Sequence, residues 1–206
     1  MTTYADDTRT DLLELSPQGQ DLLFREARTA NTFTDEPVTD EQVAAIYDLV
    51  KWAPTSMNTQ PLRVLLVRSD EARARLLGHL APGNRAKAGS APLVAVLSAD
   101  HDFHEHLHRT FPHFPGAKAI FADDTVRANA AQLNATLQLA YFILGVRAAG
   151  LAAGPMTGFD AAGIDAEFFS GTNQHALAVV NIGHPGPDAW FPRSPRLDLE
   201  DVVTTV

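Results

Sequence analysis

Hydrophobic positions along the chain fall into two rhythms. In PVTDEQVAAIYDLVKWAP, residues Val43, Ile46, Tyr47 and Val50 stand at i, i+3, i+4 and i+7. That spacing marks one face of a helix, and the face is expected to be buried. Thr39 and Gln42 form a capping box at its start, and Pro54 ends it. A longer helix is predicted over about 123–149, where Val126, Ala130, Leu133, Leu137, Ala140, Leu144 and Ala148 step by three or four. No residue from Leu133 to Val146 is charged, so this helix is expected at the centre of the fold. Asn134, Thr136 and Gln138 interrupt the apolar run, and its uncharged part is too short to cross a bilayer. Shorter helices are predicted over 17–30, opened by a Ser-Pro start, over DEARARLLGHL behind Ser69, and over AAGIDAEFF.

The second rhythm is continuous. LRVLLV (62–67), LVAVL (93–97) and HALAVVNIG read as strands, the last two buried on both faces. Strands alternate with helices, which gives an α/β or α+β fold around one central sheet. Residues 1–16 are polar and mixed and are expected to be a mobile arm, leaving 17–206 as a single domain.

Composition narrows the chemistry. The formal net charge is -9, which argues against nucleic acid or an anionic membrane as partner, because both favour a basic face. Cysteine is absent, so disulfides, thiol nucleophiles and Cys-ligated metals are excluded. MTTYADDTRTDLLEL has no apolar core of a signal peptide, so a soluble cytoplasmic protein is expected.

HEHLH fits the H-E-x-x-H zinc pattern through His104, Glu105 and His108. A zinc hydrolase is therefore one alternative, but a remote one. Phe111 and Phe114 stand where the extended pattern has glycine and a third histidine, and Pro112 stops any helix a turn after His108. The metal expectation is none. WAPTSMNTQP is more informative. It offers Thr55, Ser56, Asn58, Gln60 and backbone N–H groups to a polar planar ligand, although an ordinary polar loop looks the same. GNRAK sets Asn84 and Lys87 on one face if helical, while Arg28-Thr29 and Arg196 are phosphate-type donors.

Taken in order, these segments resemble the FMN-dependent nitroreductase family. The likeness is carried by Arg28-Thr29-Ala30-Asn31, by Pro54 to Pro61, by Asn84 to Lys87, by Gly150-Leu151 through Pro155-Met156-Thr157-Gly158-Phe159, and by Arg196 before LDLEDVV. EARTANTF, KWAPTSMNTQP, GPMTGFD and FFSGT are similar, more narrowly, to the malonic semialdehyde reductase group. The family pattern departs at Ala27, Asn31 and Ser194, where basic residues are common.

The resemblance implies an α+β fold with α/β/α layers, a central mixed sheet flanked by helices, and a domain-swapped C-terminal tail. It implies a homodimer with FMN at the subunit interface and NADH or NADPH as donor. FMN would be held by Arg28, Thr29, Asn31, Pro54, Thr55, Ser56, Asn58, Asn84, Lys87, Pro155, Met156, Thr157, Gly158 and Arg196. Lys87 would act as electrostatic stabiliser. Flavin N5 would pass hydride to a small acceptor: a malonic semialdehyde-type aldehyde, a nitro compound or a quinone. No side-chain nucleophile is needed. A flavin-binding protein without catalysis is the further alternative.

Overall fold

A computed structural model describes residues 12–206, so most of the expected arm (1–16) lies outside the described residues. Among the described residues, four strands form one sheet in the order β1-β2-β4-β3: β1 (Leu62–Val67), β2 (Leu93–Asp100), β3 (Ala152–Met156) and β4 (Gln174–Gly183). All three pairings are antiparallel, where a mixed sheet was expected. The register gives the reason. Val67 at the end of β1 lies opposite Val94 at the start of β2. Two helices, α3 (Asp70–His79) and α4 (Pro82–Ser90), return the chain to the end it left. A crossover to the other end would be needed for a parallel neighbour.

Every residue of β2 is buried, as its unbroken apolar run requires. Leu93, Ala95 and Leu97 face one core, shared with Ile46 of α2 (Asp40–Val50) and with Phe142 and Val146 of α7 (Asp124–Ala148). Val94 and Val96 face the other, shared with Leu76 of α3, Ala88 of α4 and Ile164 of α8 (Ala161–Phe168). Helices thus cover both faces, giving the expected α/β/α layers within an α+β fold. A third core joins α7 to the segment after β2, a 3-10 turn (Phe103–His106), α5 (Leu107–Thr110) and α6 (Ala117–Ile120), through Phe103, Leu107, Phe121, Ala131 and Ala135.

The predicted Thr39/Gln42 capping box is formed. The Asp123 side chain, not singled out in the sequence, caps α7 by accepting the Val126 N–H. Gly145 lets α7 cross α2 closely, since a Cβ there would stand 2.2 Å from Val50 Cγ1. Yet α7 is not enclosed all round. Val126, Leu133, Leu137 and Tyr141 are exposed, and so is Tyr47 of α2, at 62%. An apolar sequence face had been equated with a buried one, and in the single chain this stripe has no cover. Among the described residues, no helix is long and apolar enough to cross a membrane.

The first helix also departs from its predicted span of 17–30. α1 (Pro17–Gln20) passes into a π turn (Asp21–Arg25), and the helical backbone stops at Glu26. Residues beyond it are claimed by longer-range pairing. The Ala30 N–H bonds to the Ala153 carbonyl at 3.1 Å, and the Asn31 N–H to Ala189 at 2.9 Å. Gly186 and His184 bond to Thr32 and Thr34 in the same way. The segment therefore lies between β3 and the C-terminal stretch. Gly154 permits the contact, because a Cβ there would come within 2.7 Å of the Ala30 carbonyl oxygen. A short helix, α9 (Leu199–Val202), closes the chain, with Leu197, Leu199, Val202 and Val203 exposed.

Candidate functional site

The ladder between residues 25–34 and the C-terminal stretch forms one wall of a cleft of about 440 Å³. Its lining includes Arg28, Thr29 and Asn31 from the first segment, Lys87 from α4, Arg147 from the end of α7, and Phe191, Arg193 and Arg196 from the C-terminal stretch. Five cationic side chains thus converge in a chain of net charge -9, and among the described residues no carboxylate lines the cleft. Such a concentration of one sign focuses the field toward an anion.

Each cation is differently held. The Arg28 guanidinium lies 3.7 Å from Glu26 and 5.9 Å from the Trp190 ring centroid, with its Nε buried and, among the described residues, unpartnered. Lys87 Nζ stands 5.9 Å from the Phe191 ring. Arg196 donates to the Ser194 and Pro195 carbonyls at 2.9 and 3.1 Å. Arg147 donates to the Leu23 carbonyl at 3.2 Å, and its Nε is a second buried nitrogen without a partner among the described residues. Burial, and then the charge of Arg193, hold the Arg147 guanidinium below its ordinary value. A buried donor left unpaired is costly, but Arg73 and Arg127 Nε share this state away from the cleft, so the five converging cations, rather than these nitrogens, distinguish it.

A neighbouring wall carries the next predicted residues. α4 sets Asn84 one turn before Lys87. Asn84 Nδ2 donates to the Gly158 carbonyl at 3.0 Å, and the Ala81 N–H reaches the same oxygen at 3.0 Å. Pro155 and Met156 end β3, opposite Val180 and Val179, and Thr157 and Gly158 follow directly. Asn84 and residues 155–158 therefore adjoin the cleft at Lys87 without lining it.

Pro54, Thr55, Ser56 and Asn58 are not brought to this cleft. Their loop is fastened to α7, and the polar interruptions of that helix explain how. Asn134 Oδ1 accepts the Ser56 N–H at 2.7 Å, and Gln138 Oε1 accepts the Leu62 N–H at 3.0 Å. Asn58 Nδ2 donates to the Thr110 carbonyl at 2.7 Å, while its Oδ1 accepts from Gln60 Nε2 at 2.8 Å. Met57, Asn58 and Gln60 take φ values of 51, 50 and 45°, a left-handed conformation that costs side-chain-bearing residues energy. Strain at three positions in one loop matches a segment held for function rather than for stability.

The histidine motif sits apart. His104 belongs to the 3-10 turn and His108 to α5, so the two are not on one continuous helix. His108 Nδ1 faces the Glu105 carbonyl at 2.9 Å, and Glu105 pairs with Lys118 at 2.6 Å. No group of three potential metal ligands is assembled among the described residues. Sequence reasoning did not select Arg147 and Arg193. Arg147 carried a faint signal, as the first charge after the uncharged stretch of α7.

Residues 24–184 match the model of the nitroreductase family, and the chain belongs to that family. A protein of Streptomyces coelicolor, provisionally named NADH dehydrogenase/NAD(P)H nitroreductase, is 68% identical over 94% of this chain and 99% of its own. A Leptothrix cholodnii protein of the same provisional name is 50% identical over 86% and 91%. The fold is similar to that of a nitroreductase from Exiguobacterium sibiricum solved in complex with FMN. The TM-score is 0.81, with 19% identity over 94% of this chain and 99% of that one.

Proposed function

We propose that the chain is an FMN-dependent NAD(P)H oxidoreductase that works as a homodimer. The carrying observation is the cleft, where five cations and no carboxylate line the space among the described residues. These features fit a phosphate dianion, which needs fixed donors and gains most from arginine forks. FMN, when bound, supplies hydride transfer through its N5 atom. Arg28, Thr29 and Arg196 would hold its phosphate. Lys87, at the cleft and beside Asn84, would hold positive charge toward the ring edge where negative charge gathers on reduction. The Thr157–Gly158 backbone and Asn84 would orient the polar edge of the ring. The loop from Pro54 to Asn58, held away from this cleft in its own chain, would close over the site of a second copy and exclude water.

The acceptor is a small molecule, and we propose a malonic semialdehyde-type aldehyde first, with nitro compounds and quinones as further acceptors. The similarity of EARTANTF, KWAPTSMNTQP and GPMTGFD to the malonic semialdehyde reductase group supports that order. The test is to express the protein with FMN supplied, denature it, and identify the released cofactor by mass. One FMN per subunit, bleached anaerobically by NADH or NADPH in the native protein, is the expected result. A colourless protein sinks the proposal, and a coloured one that neither donor bleaches leaves only a flavin-binding role.

A further inference from the structure

Arg193 lines the cleft, yet one of its terminal nitrogens is turned to the protein's own backbone. Nη2 is bonded to the Arg25 carbonyl and lies 3.3 Å from the Ala27 carbonyl. Arg147 does the same from α7 at the Leu23 carbonyl. All three acceptors belong to the stretch where the first helix ends. A helix end leaves its last carbonyls without intrahelical partners. Here the π turn is closed by the Glu26 N–H on Asp21, so the carbonyls beyond Asp21 need other donors. Two guanidiniums supply them for Leu23, Arg25 and Ala27.

The C-terminal stretch grips the following residues too. Trp190, three residues before Arg193, lies under the Arg28 guanidinium. Asn31 bonds to the Ala189 carbonyl through both its N–H and its Nδ2, at 2.9 and 3.3 Å. Arg28 is thus bracketed, by Arg193 on the two carbonyls flanking Glu26 and by Ala189 three residues later. We infer that Arg193, assisted by Arg147, is a positioning residue that fixes the backbone so that Arg28 presents its guanidinium to a phosphate, while Arg193 itself stays off that phosphate. The inference rests on reading the cleft as the cofactor site. One terminal nitrogen, Nη2, carries two N–H donors and reaches both carbonyls, and a lysine, one bond shorter, ends before that position.

A double-mutant cycle read by flavin binding tests this. Protein stripped of flavin is titrated with FMN and with riboflavin, which lacks the phosphate. Arg193→Gln is expected to raise the FMN dissociation constant about tenfold or more, the scale of losing hydrogen bonds from a charged group. Arg28→Ala should do the same. In the Arg28→Ala background, Arg193→Gln should add less than about a twofold change, because its effect passes through Arg28. Riboflavin should bind wild type and Arg193→Gln alike. Additive losses would make Arg193 a phosphate ligand and overturn the inference. An unchanged FMN affinity in Arg193→Gln, or an equal loss for riboflavin, would overturn it as well. If Arg28→Ala alone keeps wild-type FMN affinity, the phosphate site itself is misassigned and the inference falls with it. Should the Gln variant fail to fold, Arg193→Lys, which keeps the charge but not the reach of Nη2, carries the same cycle.

Discussion

Single residues show where chemistry and packing compete, and His101 shows it through pH. Its ring stacks on His175 with centroids 4.2 Å apart, where β2 ends beside the start of β4. Burial first, then the charges of His175 and Arg127, hold the imidazole below its ordinary 6.5, against the opposing pull of Asp100 and Asp102. Asp100 is itself paired with Arg63 at 2.6 Å, and His175 contacts Asp165 at 3.1 Å. A histidine with a depressed folded value favours the neutral form. Its contribution to stability is present above the ordinary value and lost as pH falls through the folded one. Wild type should therefore lose more stability between about pH 7 and pH 5 than His101→Phe, which keeps the stack but cannot charge. Urea midpoints at the two pH values decide it, and an equal fall in both proteins would remove His101 as the cause. None of this was legible in the sequence, because the partners of His101 lie up to 74 positions away and only the fold assembles them. Arg28, Thr29, Asn31, Lys87 and Arg196 were legible, since each stands in a short motif, and the cleft does gather them.

Elements were easier to read where the signal is local. Capping residues, the unbroken run of β2 and the long period of α7 act within a few residues of themselves, and all three form as predicted. The first helix was misjudged because its C-terminal half is decided by β3 and the C-terminal stretch, more than a hundred residues on. α7 holds the sharper lesson. Its polar residues looked like mere interruptions, yet Asn134, only 3% exposed, is the anchor of the strained loop. Asn134→Ala leaves the Ser56 N–H without its acceptor, and the expected cost is about 1–3 kcal/mol. Thr136→Ala is the contrast. Thr136 bonds within its own helix, to the Gln132 carbonyl, and its loss should change stability by no more than about 0.5 kcal/mol. Chemical denaturation of the two variants side by side checks the pair, and equal losses would show that the loop does not depend on Asn134.

At the scale of the whole molecule, one face of the single chain is unfinished. Val126, Leu133, Leu137 and Tyr141 recur along α7 at helical spacing and are exposed, with Leu133 at 64%. Tyr47, Trp52 and Val64 are exposed on the neighbouring elements. Between α2, α7 and the outer strand β1 lies an apolar hollow of about 240 Å³, lined by Val43, Tyr47, Val50, Val64, Leu66 and Phe142 among others. Contiguous apolar surface of this kind usually marks an interface. A second copy is the fitting occupant, because the same chain also exposes Leu197, Leu199, Val202 and Val203 on its last residues, and because the Pro54–Asn58 loop does not reach the Arg28–Arg196 cleft of its own chain. The wild-type protein should therefore behave in light scattering as a dimer of 22.3 kDa chains. Burial on the scale of obligate dimers, about 2,000 Å² or more in total, is expected. Leu133→Asp with Leu137→Asp places two carboxylates in that interface without touching the Arg28–Arg196 cleft. The variant should shift toward monomer and lose bound FMN together, since the loop of the second copy leaves with it. Wild type eluting with FMN as a single 22.3 kDa chain would sink the dimer. A monomeric variant that keeps FMN at full occupancy would keep the interface but deny the loop its place over the neighbouring site.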